Sequence, residues 1–245
     1  MATRLNRIFH DEVLTVNQRY TLSDGATRHL VTVLRVKQNE PLILFNGDGQ
    51  NYLARVTQVA KRSLEVEVVE QQANHSESPL ATHLIQAVAR GDKMDWVIQK
   101  AVELGVTEIT PLFTERTGVK LTSDRLAKKR QHWQQVAISA CEQSGRSQQV
   151  AVHQPIVFDQ LLGMNIKWRD SIILHPHRGE SVAQLHSSSA YNLIIGPEGG
   201  LTEDEVDQLA KLGCKPLTLG PRILRTETAA LVMLSILQSR FGDLL

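Results

Sequence analysis

Two Gly-Pro bends carry the residue types that hold a small ligand by its polar edge. The first is Ile194-Ile195-Gly196-Pro197-Glu198-Gly199-Gly200. The second is Leu219-Gly220-Pro221-Arg222-Ile223-Leu224-Arg225-Thr226-Glu227-Thr228, with Gly220 lying 24 positions after Gly196. Gly-Pro stops a strand or helix and leaves backbone N–H and C=O groups exposed in a fixed shape. Neither bend is a Walker loop, which needs Gly-Lys-Ser/Thr after its spacer, and the G-x-G-x-x-G and G-x-S-x-G fingerprints are absent. Glu198, with Glu203, Asp204 and Glu205 close behind, competes for the positive helix end that a phosphate would use. A nucleoside triphosphate is therefore disfavoured. A phosphate-free ligand with an adenine edge, a cationic centre and a zwitterionic tail suits such a loop pair, and S-adenosylmethionine has all three. Arg222, Arg225 and Glu227 add reactive polarity. A guanidinium beside the carbonyl oxygens of an RNA base stabilises its deprotonated ring, and a carboxylate can take the ring proton. On spacing alone, Arg225 and Glu227 serve equally well to brace the loop and the helix that follows.

Each bend follows a short apolar run that reads as a buried strand, Tyr191–Ile195 and Leu217–Leu219, and each leads into a helix. That is where a ligand sits in an α/β sheet. After the first bend, Thr202 and Glu205 form a capping box, with Leu201 and Val206 as its staple. After the second, a helix from near Glu227 is apolar almost all round and must be covered on more than one side. Upstream, His83–Ala89, Ile109–Phe113 and Ser171–Leu174 read as strands and Phe158–Leu162 as a short helix. Met94, Val97, Ile98, Ala101 and Leu104 recur at helical spacing behind Asp92, expected as an N-cap, and Gly105 stops them. Thr122-Ser123-Asp124 opens a long helix to about Ser144. This alternation predicts a mostly parallel sheet with helices on both faces.

The first seventy residues read differently. Pro41–Phe45, Tyr52–Val59 and Ser63–Val69 are short strands joined by turns such as Asn46-Gly47-Asp48-Gly49. A short helix opens at Ser23 with Leu30, Val33 and Leu34 on one face. A small β-barrel is expected, followed by a polar linker over Glu70–Pro79. Arg4, Arg7, Arg28 and Arg35 cluster here, yet residues 1–72 hold nine Lys and Arg against eight Asp and Glu. The whole chain of 245 residues has a net charge of +1, so any nucleic-acid surface must be local. A second basic run, Arg125, Lys128, Lys129 and Arg130, lies on the long helix, where a solvated face competes with an RNA site. Among nine histidines only His175-x-His177 has ligand-like spacing, and it lacks further partners, so no metal is expected. Cys141 and Cys214 read as reduced structural thiols. The N-terminus lacks the apolar core of a signal peptide, and no run is long and apolar enough to cross a membrane, so a soluble cytoplasmic protein is expected.

These residues resemble a known family. The Gly196-Pro197-Glu198-Gly199 and Leu224-Arg225-Thr226-Glu227-Thr228 pair is similar to the cofactor loops of the RsmE family, 16S ribosomal RNA uridine N3-methyltransferases of the SPOUT (trefoil-knot) superfamily. Arg7-Ile8-Phe9, His29 with Val33-Leu34-Arg35, and Phe45–Gly49 resemble its PUA-like barrel. Gln99-Lys100, Glu103–Val106, Pro111 and Glu142-Gln143-Ser144 with Arg146 resemble its central segment. The resemblance implies an α/β chain with a PUA-like RNA-binding barrel over residues 1–72 and a knotted parallel-sheet methyltransferase domain over 73–245. It implies S-adenosylmethionine held by Leu174, His175, Ile195, Gly196, Pro197, Glu198, Gly199, Leu219, Gly220, Ile223, Leu224, Arg225, Thr226 and Thr228. It implies methylation of a uridine of the small ribosomal subunit (1498 in the usual numbering), a homodimer, and RNA contacts from Arg7, Arg28, Arg35, Arg125, Lys128, Lys129 and Arg222. Arg225 and Glu227 are the candidate catalytic pair. The alternatives are a SPOUT enzyme acting on a ribose 2′-hydroxyl or a tRNA base, and a non-catalytic RNA-binding protein with this fold.

Overall fold

The computed structural model describes residues 5–119 and 123–244, so Arg4 and Thr122 lie outside the described residues. The chain divides into two compact units: the chain up to Glu77 with Cys141–Gln149, and Ser78–Ala140 with the rest from Val150. The helical and β elements form a mixed α/β protein with a parallel sheet, as expected.

In the first unit, β1 (Asn6–Phe9), β2 (Arg19–Thr21), β3 (Pro41–Phe45), β4 (Gln50–Val59) and β5 (Leu64–Ala73) form one sheet, ordered β1-β3-β4-β5-β2. Leu64, Val66 and Val68 alternate inward and join Ile8, Leu30, Leu42, Leu44, Tyr52 and Val56 in the core. Two expectations fail here. The polar residues Glu70–Ala73 are the end of β5, not linker, because their backbone pairs with Gln50–Leu53 of β4. A backbone ladder is indifferent to polar side chains that face water. The short helix α1 (Asp24–Arg28), capped by Ser23, passes directly into a wider i→i+5 turn over His29–Leu34. The changed period buries Leu30 but leaves Val33 65% and Leu34 41% exposed. Arg35 closes the turn in the left-handed region, φ 54°.

The second unit is built on parallel strands. These are β6 (Ala81–Ala87), β7 (Glu108–Phe113), β8 (Ala151–Val152), β9 (Ile156–Val157), β10 (Ser171–Leu174), β11 (Glu180–Ser181), β12 (Ala190–Ile195) and β13 (Lys215–Thr218). Their order is β11-β13-β10-β12-β6-β7-β8, with β9 also on β7, and every pairing is parallel. Strands buried on both faces read as continuous apolar runs. Between them run α2 (Lys93–Glu103), α3 (Ser123–Ser144), α4 (Phe158–Leu162), α5 (Glu203–Lys211) and α6 (Thr226–Phe241). One face of the sheet, with Ile85, Leu112, Ile173 and Ile194, packs on α4 and α5 through Phe158, Leu161, Val206 and Leu209. The other meets α2 and α6, whose Val97, Ile98, Met233, Leu234 and Leu237 are fully buried. Asp92 precedes α2 but makes no capping bond with its side chain, so only Asp95 serves the helix end. Among the described residues no helix is long and apolar enough to cross a membrane.

Candidate functional site: a cavity at the carboxyl ends of the parallel strands

The strands β10, β12 and β13 point the same way, so the segments after Leu174, Ile195 and Thr218 emerge together. They enclose a cavity of about 590 Å³, within the range of small-molecule sites. Leu174, Ile195, Leu219, Ile223 and Leu224 give it apolar walls. Ile223 is 69% exposed, an apolar side chain that only a bound ligand or partner would cover.

The two Gly-Pro bends lie against each other. Thr226 Oγ1 donates to the Gly196 carbonyl at 2.6 Å, joining the start of α6 to the first bend. Gln86, fully buried at the end of β6, donates from Nε2 to the same Thr226 oxygen at 2.9 Å. The β6–β12 register, which pairs Gln86 with Ile195, puts it there. Gly196 itself is needed for the close approach: a Cβ there would lie 3.0 Å from Leu201 N and 3.1 Å from its Cγ. Gly200 and Gly220 adopt left-handed φ of 70° and 63°, which glycine takes without strain. The predicted capping box is present, with Thr202 Oγ1 accepting from Glu205 N and Glu205 Oε2 from Thr202 N. The second carboxylate oxygen of Glu205 accepts from Glu115 N, and Arg116 reaches the Gly199 carbonyl at 3.2 Å. The first bend is thus braced from the end of β7 as well.

Charge is arranged around the mouth. Lys93 Nζ lies 3.2 Å from Glu227 and 3.8 Å from Glu198. Glu198 Oε1 also accepts from the Arg90 backbone at 3.0 Å. Burial pushes the Glu198 carboxyl up, but the Arg90 and Glu198 backbone N–H groups and the Lys93 and Arg90 charges outweigh it, so the net shift is downward. A depressed carboxylate stabilises the fold above its unfolded pKa and loses that contribution as pH falls through its folded value. Below about 4.5, the ordinary value, thermal stability is therefore expected to fall more steeply in the wild type than in Glu198→Gln. Melting curves at a series of acid pH values check this; parallel curves would remove Glu198 from the acid response.

Twelve of the fourteen residues expected at the cofactor line this cavity; Gly220 and Thr228 belong to the same segment but do not face it. Arg225 and Arg222 are on the lining and exposed. Glu227 is not on the lining and meets it through Lys93. Sequence reasoning missed Gln86, Lys93 and Arg116. Their signal was position, since all three lie at or just after the carboxyl ends of β6 and β7. His175 does not present a metal pair with His177: its Nδ1 accepts from the His177 and Arg178 backbones, which leaves the proton on Nε2.

The basic residues expected to meet RNA have different settings. Arg28, Arg35, Arg125, Lys128 and Lys129 are exposed. Arg7 is committed internally, donating to Asn51 Oδ1, the Arg146 carbonyl and Ser147 Oγ and lying over the Phe45 ring.

Comparison with known proteins agrees with this architecture. Residues 76–238 match a family described as an RNA methyltransferase domain, and residues 22–69 match an RNA methyltransferase PUA domain. The chain is 34% identical to the ribosomal RNA small subunit methyltransferase E of Buchnera aphidicola over the full length of both. It is 32% identical to that of Bacillus subtilis, covering 88% of each. Among solved structures, it is 40% identical to the ribosomal RNA small subunit methyltransferase E of Neisseria gonorrhoeae bound to S-adenosyl methionine. The TM-score is 0.92, over 99% of this chain and all of that one. A methyltransferase of Legionella pneumophila in complex with the same cofactor is 41% identical, with a TM-score of 0.94 over 99% of this chain and all of that one.

Proposed function

We propose, for a chain that belongs to the ribosomal RNA small subunit methyltransferase E family, that the cavity between the two Gly-Pro bends is its methyl-donor site and N3 of a single small-subunit uridine its target. The protein is an S-adenosylmethionine-dependent rRNA methyltransferase. The observation that carries the finer reading is the hydrogen bond from Thr226 to Gly196, which holds the two bends together. The lining suits the cofactor: apolar walls for the adenosine, main-chain groups for its polar edges, and no phosphate-binding loop. Leu174, His175, Ile195 to Gly199, Leu219, Ile223, Leu224 and Thr226 would hold it together with the main chain of Arg225, and Gly220 and Thr228 would shape the loop. Bound there, it supplies an electrophilic methyl group on a sulfonium.

The chain's own residues then manage the base. Uridine N3 carries a proton and is a poor nucleophile until it is lost. Glu227 takes that proton in our reading, and the Arg225 guanidinium faces the negative charge that spreads to the uracil carbonyl oxygens. Lys93, which lines the cavity, pairs with Glu227 at 3.2 Å and links that carboxylate to it. N3 forms the bond to the methyl carbon as the carbon–sulfur bond breaks, leaving the neutral thioether.

The remaining parts of the reading concern assembly. The N-terminal five-stranded unit and the exposed basic residues Arg28, Arg35, Arg125, Lys128, Lys129 and Arg222 would hold the RNA backbone, in the cytoplasm where small subunits are assembled. The stretch from β10 to α6 would be threaded as a trefoil knot. The outer face of α6, with Leu231, Val232 and Ile236 only half-buried, would form a homodimer interface. The test is incubation of unmodified small subunits with labelled S-adenosylmethionine, followed by digestion to nucleosides. N3-methyluridine from one position is the expected product. A ribose-methylated nucleoside, or label in tRNA only, would replace this reading with that of a different RNA methyltransferase.

A further inference from the structure

The opposite end of the parallel sheet, where the strands begin, carries a second cluster of chemical groups. His83 is the third residue of β6 and Glu108 the first of β7, and the parallel register makes them direct partners. Ala151 of β8 is the partner of Glu108 on its other side. His153 follows two residues later, so the period of two returns its side chain to the same face. Its backbone N–H is fixed to the Ile109 carbonyl at 2.9 Å. Three adjacent strands therefore deliver two imidazoles and a carboxylate to one place. His83 Nδ1 lies 3.7 Å from Glu108 Oε1, and His153 Nε2 lies 2.6 Å from Glu108 Oε2. A ligand atom from each of the three lies within 4.8 Å of the others.

We propose that His83, Glu108 and His153 form a binding site for a borderline divalent transition ion such as zinc, joining β6, β7 and β8 at the end of the sheet remote from the cofactor cavity. Two imidazoles and one carboxylate are the ligand set of such ions, and they leave a position for water. Bonds of about 2.1 Å place ligand atoms roughly 3.4 Å apart around a tetrahedral ion, so the His83–Glu108 spacing needs little change. His153 is half-exposed and only has to swing off its hydrogen bond to Glu108. The far nitrogen of His83 is already tied, with Nε2 2.7 Å from Thr110 Oγ1. A second-shell partner of this kind orients a metal-bound histidine and leaves its other nitrogen directed at the ion. Magnesium, which takes oxygen ligands and keeps its water, does not fit the two imidazoles.

The test uses the full chain without a histidine tag, stripped with a chelator and titrated calorimetrically with zinc chloride. Cobalt(II) serves as a second probe, because its visible absorption reports nitrogen and oxygen ligands. One zinc per chain is expected, uncontested by excess magnesium, with a matching cobalt spectrum. His153→Ala and Glu108→Gln are both exposed changes compatible with folding, and each is expected to weaken zinc binding by at least about tenfold and to remove the cobalt band. A wild type that binds no zinc, or binding weakened less than tenfold in both variants, overturns the proposal. Melting curves of the metal-free variants confirm that they are folded.

Discussion

Arg225→Ala is expected to lower methyl transfer by about 10²–10³-fold while leaving cofactor affinity within a few-fold of wild type. The separation follows from where the residue sits. Arg225 caps α6 through its backbone, with φ −66° and ψ 154°, and its carbonyl accepts from Ala229 N at 2.8 Å. Truncation leaves that backbone intact, so the loop keeps its shape. The guanidinium is exposed on the cavity lining, free of any bond needed for folding, and its loss removes only the positive charge offered to the deprotonated uracil. Single-turnover methylation of small subunits, with cofactor affinity measured separately by calorimetry, reads the two quantities apart. Wild-type turnover in this variant would take Arg225 out of the mechanism. A parallel loss of affinity would make it a cofactor residue instead.

Thr226→Val is expected to do the reverse. A hydroxyl has one hydrogen, and Gln86 already donates into the Thr226 oxygen, so that hydrogen must point at the Gly196 carbonyl. Valine keeps the volume but takes away the donor to the Gly196 carbonyl, and it leaves the Gln86 amide with only its 3.0 Å bond to the Ala87 carbonyl. Thr226 is 7% exposed and Gln86 fully buried, so water does not readily substitute. Each abandoned group costs about 1–3 kcal/mol. Cofactor affinity is expected to fall about 10–100-fold, since about 1.4 kcal/mol is a factor of ten. The melting temperature should fall by several degrees. Thr226→Ser retains the hydroxyl and should bind nearly as wild type. Calorimetry on the three proteins checks this, and an unchanged affinity in the valine variant would show that something else holds the bends together.

Much of this was legible from the residues, for reasons that differ by element. β10 and α4 fall where the sequence places them, and β12 starts one residue early, because short apolar runs beside turn residues have few alternatives. The capping box at Thr202 is legible because its four residues are local. The failures are non-local. Nothing within Glu70–Ala73 signals a strand; β4 does, by offering unpaired backbone opposite. The wide turn at His29–Leu34 mimics a helix in pattern while changing which residues face inward. At the site, the Gly-Pro bends announce themselves, whereas Lys93, Arg116 and Gln86 join it only through the order of strands. His83, Glu108 and His153 are likewise far apart along the chain and meet only through the parallel register.

The central pairing of the larger sheet also fixes when this protein can acquire its structure during synthesis. Leu84 of β6 is hydrogen-bond neighbour to β12 at Leu193, which leaves the ribosome 109 positions later. At roughly 5–20 residues per second the early strand waits on the order of 5–20 s for its mate. Throughout that interval β6, with Leu84 and Ile85 on it, has no neighbour on one edge and is vulnerable to wrong associations. Such high contact order slows folding. A nascent chain halted before Ala190 should therefore be sensitive to protease across β6, and one released past Phe241 should not.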